Sequence, residues 1–170
     1  MKVRLLTIFS DRIYQYIDTF TVQEKYQLDF SGKGLPPKYL DMSFDDIRNT
    51  DYYFFMGDYT ENETHECIQI QNWSKESHRT IIFRDKISGK LKGGCNFLDD
   101  GKIFMLTAPF TTYKDEFVSA FEPYNVFQLL SALKKDENQK VAYNHLKELF
   151  GHLEEDDNPI VVKYRLKSFN

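Results

Sequence analysis

Four residues carry the donor atoms that a zinc-type centre needs: His65, Cys67, His78 and Cys95. His65 and Cys67 stand two apart, so a strand places them on one face, and His78 and Cys95 could approach across a sheet. The spacing argues against a site, because the chain has neither a CxxC nor an HxxxH pair. The expectation is no metal and no cofactor. Two cysteines in 170 residues do not make a disulfide framework, and whether they pair stays open. Read as residues rather than ligands, they are two semi-buried thiols.

Acid–base chemistry would draw on paired carboxylates, and the chain offers Asp45-Asp46, Asp99-Asp100 and Asp156-Asp157. Each pair sits among turn-forming residues, where neighbouring carboxylates act as solvated turn formers. There is no GxSxG, no Walker loop and no GxGxxG. Sequence therefore names no catalytic residue. For ligand binding, Trp73 with Tyr52, Tyr53 and Tyr59 could build an aromatic platform, although packing between sheets explains the same residues. His145 falls on an apolar helical stripe and reads as a packed residue. Lys163, Arg165 and Lys167 form a basic stripe that reads as the wet face of an edge strand.

The elements that must position these residues are mostly β. "RLLTIF" (4–9), "RIYQYID" (12–18) and "VQEKYQLDF" (22–30) are short strands separated by turns too tight for anything but antiparallel neighbours. "SGKG" and Pro36-Pro37 stop the third, and a helical turn capped near Ser43 follows. "YYFFMGDY" (52–59) reads as a strand buried on both faces, "CIQIQNW" (67–73) alternates, and "RTIIFRDKISGK" (79–90) enters a Ser88-Gly89 turn. "GKIFMLTAPF" (101–110) is a further strand candidate. The period then changes. Pro123 suits a first helical turn, and Val126, Leu129, Leu130 and Leu133 make one face of a helix at about 123–134. A second helix is expected at about 138–153, with Ala142, His145, Leu146, Leu149, Phe150 and Leu153 facing inward. After Pro159, Ile160, Val162, Tyr164 and Leu166 alternate against Val161, Lys163, Arg165 and Lys167, a strand with one buried face.

With 16% aromatic residues and a length that suits one domain with a real core, the chain is a folded, mainly β protein. A net charge of −4 and a pI near 5.6 lack the basic patch of a nucleic-acid binder. No apolar run approaches the roughly 20 residues of a membrane-spanning helix. "MKVRLLTIFSDRIY" is too short in its apolar part for a signal-peptide core.

Three stretches together carry a family resemblance. "RIYQYID…YQLDFSGKGLPPKYL" resembles a segment that reads Y-x-L-D-F-G before L-P-x-x-Y in the six-bladed β-propeller family of Bacteroidetes. "IIFRDKISGKL" is similar to that family's Y-D-K-K-T-G-K hairpin, and "LKELFGHLEEDDNPIVVKYRLK" to its C-terminal helix, E-D-D-N-P-V-L and last strand. The likeness spans most of residues 10–168, with Ser31 where the family commonly has glycine and Arg84 where it has tyrosine. Members are usually about twice as long and carry an export signal. The resemblance implies the C-terminal half of a propeller, about three blades at roughly 40–50 residues each, and a place in the cell envelope or periplasm.

The expected architecture is one domain over 1–170, with β meanders over 1–120, a helical insertion at 121–154 and a closing strand at 158–169. Two open ends of such an array would be covered by a missing N-terminal half or by a second copy, with residues 160–168 beside an early strand of that copy. The alternative is pairing with residues 79–110 of the same chain. The family has no activity to carry over. The functional expectation is a non-catalytic binding or interaction module. The alternatives are a propeller-type hydrolase or lyase with a channel-bound metal, and a truncated gene product without independent activity. The binding candidates are Trp73, Tyr52 and Tyr59.

Overall fold

A computed structural model describes residues 4–6, 9–73, 78–94, 97–98, 105–135 and 140–169. The fold is mainly β, and its named strands pair antiparallel. The described residues divide into two compact units. The first is bounded by Met1–Thr60, His65–Cys95 and Phe169–Asn170, the second by Glu61–Thr64 and Asn96–Ser168.

In the first unit, β1 (Arg4–Leu6), β2 (Arg12–Tyr16) and β3 (Val22–Gln27) form a three-stranded sheet in sequence order. The β2–β3 register shifts by a bulge between Ile13 and Tyr14. The second sheet is an uninterrupted meander of β4 (Tyr53–Glu61), β5 (His65–Asn72), β6 (His78–Asp85) and β7 (Leu91–Gly94). Ile13, Phe55 and Ile68 form a buried cluster, with Tyr26, Leu28, Tyr59 and Ile70 packed against it. The β-branched and aromatic character of these strands supplies that core. The expected two-sided burial of the 52–59 run holds at Phe54 and Phe55, whereas Asp58 is exposed.

Between the two sheets in sequence, a 3₁₀ turn (Pro37–Tyr39) and the short helix α1 (Phe44–Arg48) follow the Gly-Pro segment. Ser43 caps α1 as expected: its hydroxyl accepts from Asp46 N, and the Asp46 carboxylate accepts from Ser43 N. Asp46 is thus a capping residue, which accounts for one of the carboxylate pairs.

The second unit holds a two-stranded sheet, β8 (Phe97–Leu98) with β9 (Met105–Leu106), and a three-stranded sheet of β10 (Thr111–Tyr113), β11 (Glu116–Phe121) and β12 (Ile160–Tyr164). The hairpin β10–β11 turns through Lys114 at φ 55°, and no sequence signal placed strands there. Of the expected 101–110 strand, residues 101–104 lie outside the described residues, Met105–Leu106 form β9, and 107–110 are not strand. α2 (Pro123–Lys134) begins with proline in its first turn, where the missing N–H costs nothing. α3 (Lys140–Phe150) ends before the expected limit of about 153, and residues 138–139 lie outside the described residues. Gly151 ends it: its N–H donates to Lys147 O at 2.8 Å, and a Cβ there would come within 2.4 Å of that oxygen. The expected α3 stripe needs correction. Ala142 and Leu146 are buried, but Leu149 is 47% exposed and His145 is exposed, so the helix buries a narrower face than its pattern suggests.

The terminal strand alternates as expected, with Ile160, Val162 and Tyr164 half-buried and Val161 and Lys163 exposed. Within this chain it does not pair with residues 79–110. β12 pairs with β11, in register from Phe117↔Tyr164 to Phe121↔Ile160. The pairing spans the two helices that intervene in sequence and gives the backbone groups of β12 their partners.

Candidate functional site

Among the described residues, those proposed from sequence do not form one site. His65 is buried on β5 with its ring 5.1 Å from that of Phe169. Cys67 is buried two residues along, and burial pushes its thiol well above the ordinary range. The side chain of His78, and Cys95 and Asp99-Asp100 entirely, lie outside the described residues. Among the described residues no group of three or more His, Cys, Asp or Glu is arranged to hold a metal. Nor do the aromatic candidates form one platform. Trp73 packs against Phe9, Phe44 and Phe54 at 5.9, 4.4 and 4.7 Å, Tyr52 pairs with Tyr39 at 5.5 Å, and Tyr59 belongs to a polar cluster. Asp157 accepts from Glu154 N at 2.8 Å, a turn role. Lys163 and Arg165 are exposed and lie 3.7 Å from Glu116.

Three features of the first unit went unread in the sequence. The first centres on Glu66, 2% exposed on β5. Its Oε1 accepts from Lys25 Nζ at 2.8 Å, Tyr26 Oη at 2.7 Å and Tyr59 Oη at 2.9 Å, and its Oε2 accepts from Arg84 Nη1 at 3.0 Å. Lys25 also lies 4.9 Å from the Tyr59 ring centre, and Arg84 5.6 Å from that of Tyr26. Burial alone would raise the Glu66 carboxyl. Hydrogen bonds from Lys25, Tyr26 and Tyr59, with the charge of Lys25, outweigh it and hold the group below its usual range. Arg84 brings a second positive charge to the cluster. One signal was available: Glu66 shares a strand face with Ile68 and Ile70, an odd place for a carboxylate unless it is paired.

The second feature is a socket for the last described residue. Asp85, 2% exposed, accepts from Ile87 N and Ser88 N with Oδ1 and from Phe169 N at 3.1 Å with Oδ2. Backbone hydrogen bonds from Ser88 and Phe169 lead the effects that bring its carboxyl down to about 2. Phe169 is 7% exposed, and Lys92 Nζ lies 4.8 Å from its ring centre.

The third is an open cavity of about 770 Å³. Phe30, Tyr53, Leu35 and Leu40 supply much of its apolar lining, and Asp11 and Asp29 the charged part. Backbone hydrogen bonds fix its walls: Leu28 N to Asp11 O at 2.7 Å, Tyr53 N to Lys33 O at 2.7 Å and Leu35 N to Tyr53 O at 3.1 Å. Phe30 and Tyr53 stack at 6.4 Å with planes 19° apart. A Cβ at Gly34 would press on the Phe30 ring at 3.1 Å. Asp29 Oδ1 accepts from Ser31 N at 2.7 Å, which holds Ser31 at φ 53° and sets the turn. Loops form most of this cavity, so no periodicity announces it.

No protein-family model matches the chain, and no curated protein matches it. A crystal structure of a protein described as exported, from Bacteroides fragilis, is similar over 98% of this chain and 48% of its own length, with a TM-score of 0.68 and 18% identity. The chain thus spans about half the length of that protein. At such identity the likeness is one of fold.

Proposed function

We propose that this chain is a non-catalytic binding module of β-propeller type, with the cavity beside Phe30 and Tyr53 as its ligand site. The cavity carries the binding reading. Its volume of about 770 Å³ falls in the range of small-molecule sites, roughly 300–1,000 Å³, and its lining combines apolar walls with a few polar groups. Hydrogen-bonded backbone makes it preformed, which lowers the ordering cost of binding. The propeller reading is supported by the β4–β7 meander, whose order and span match one blade of roughly 40–50 residues. Glu66 and Asp85 are held below their ordinary ranges and Cys67 above. Each keeps one protonation state at neutral pH, which suits a structural role better than proton transfer.

The match to about half of a longer protein supports a ring completed by further blades, from another stretch of chain or from a second copy. The exported neighbour supports a place in the cell envelope or periplasm. No helix among the described residues is long and apolar enough to cross a membrane.

Saturation-transfer NMR with a mixture of neutral, cationic and anionic aromatic fragments tests the binding site. Leu40 is 56% exposed at the cavity rim, so Leu40→Trp narrows the mouth without touching the core. Fragments that bind the wild type and are lost in Leu40→Trp are expected. An absence of binding, or binding indifferent to that change, would refute the site.

A further inference from the structure

The charged groups that line the cavity, Asp11 and Asp29, are both acidic. The cations nearest in sequence are engaged elsewhere: Arg12 with Glu24 at 2.8 Å, Lys33 with Asp51 at 3.5 Å, and Lys38 over the Tyr39 ring at 5.1 Å. Arg12 Nε reaches Asp11 only at 3.6 Å, and Gln27 Nε2 lies 3.5 Å from the same carboxylate. Asp29 spends Oδ1 on Ser31 N, and among the described residues no hydrogen bond is made to its Oδ2. Phe9, Phe30 and Tyr53 line the same cavity, and aromatic π faces attract cations. An anion entering would meet two like charges, and a neutral apolar body would leave both unanswered. The cavity volume of about 770 Å³ holds more than a bare ion.

We propose that the ligand of this cavity is a small organic cation: an ammonium or guanidinium group carried on an apolar or aromatic body, with the charge at Asp29 and Asp11 and the body against Phe30, Tyr53 and Leu35. This rests on the cavity being the module's binding site. A free amine and a basic side chain of a peptide share that chemistry. Both would be held by the same contacts, with the carboxylates setting charge selectivity and the rings setting shape.

Phenethylamine, its anionic counterpart 3-phenylpropionate and neutral benzyl alcohol form a charge series of similar bulk for titration by NMR. Phenethylamine is expected to bind tightest, and to weaken about tenfold in Asp29→Asn and again in Asp11→Asn, with weakening at high salt. Asn retains the oxygen that accepts from Ser31 N, so the turn survives the change, and a wild-type-like Trp73 emission spectrum confirms it. Arginine amide and a dipeptide with a central arginine separate the two sources, and either one binding at the same site supports the proposal. Should benzyl alcohol or 3-phenylpropionate bind as well as phenethylamine, with sensitivity to Leu40→Trp, the cation assignment fails while the cavity site stands. Should none of the compounds bind, both fail. Phenethylamine binding unchanged in both Asn variants would also overturn the assignment.

Discussion

Glu66→Ala should destabilise the first unit by about 3 kcal/mol, toward the low end of the cost of breaking a buried ion pair. The carboxylate is 2% exposed and receives Lys25, 14% exposed, together with two tyrosine hydroxyls. Its removal leaves a nearly buried ammonium without its carboxylate and takes one acceptor from each hydroxyl, although Tyr59 Oη keeps Lys25 Nζ and Tyr26 Oη keeps Arg84 Nη1. Arg84 is 33% exposed and can turn toward water, so its loss adds little. At a urea slope of about 2 kcal/mol/M, the midpoint should fall by about 1.5 M. Trp73 makes the assay specific. It is the chain's single tryptophan, it packs on Phe9, Phe44 and Phe54, and it belongs to the same unit as Glu66.

The acid limb gives a second readout. The folded-state carboxyl lies below its ordinary value of 4.5. Its stabilisation is therefore present above that pH and lost as pH falls through the lower folded value. Wild-type stability should decline below about pH 4.5, and the decline should be shallower in Glu66→Ala. A residual slope from Asp85, at about 2, should remain in both. A midpoint within about 0.3 M of wild type, with an unchanged acid slope, would refute the reasoning.

Phe169→Ala should cost about 2–3 kcal/mol, the worth of burying a phenylalanine, and hydrogen exchange at the Ile87 and Ser88 amides bound to Asp85 should quicken with it. Ser31→Gly should stabilise by about 1 kcal/mol by relieving a left-handed residue, since Ser31 is exposed at φ 53°, and a urea midpoint that stays or falls would count against it. Leu146→Ala should cost about 2–5 kcal/mol because Leu146 is fully buried, whereas Leu149→Ala, at a half-exposed position, should cost less than about 1 kcal/mol; thermal melts of equal shift would show that α3 packs otherwise.

Local rules were legible in this chain, and long-range pairing was not. Ser43 and Asp46 announced a helix start because a capping box is complete within four residues. Pro123 and the spacing of Val126, Leu129, Leu130 and Leu133 gave the α2 bounds, since propensity and burial agree along one helix. The alternation of 160–164 gave β12 its faces. Which strand would receive it could not be read, because β11 has no distinctive pattern and its turn depends on Lys114 at positive φ. The helix α3 misled for a physical reason: periodicity shows which side is apolar, but not how wide a face finds a partner, and Leu149 finds little. The Glu66 cluster draws on positions 25, 26, 59, 66 and 84, a set that no spacing rule joins.

The cluster and the cavity divide two tasks between two kinds of backbone. Glu66, Lys25, Tyr26, Tyr59 and Arg84 stand on or next to hydrogen-bonded strands, where side-chain positions are fixed by register, and their charges answer one another within the protein. A charge so answered has little left for a ligand. Asp29 and the Gly32–Leu40 segment stand on a loop, whose backbone is pinned at Lys33, Leu35 and Tyr53 but where Asp29 Oδ2 makes no bond among the described residues. Loops held by a rigid sheet are where proteins place recognition. On that division, changes to Glu66 should move stability, while changes to Asp29 should move affinity and leave the urea midpoint in place. The crossed pair of measurements separates a structural ion cluster from a binding site in the same unit.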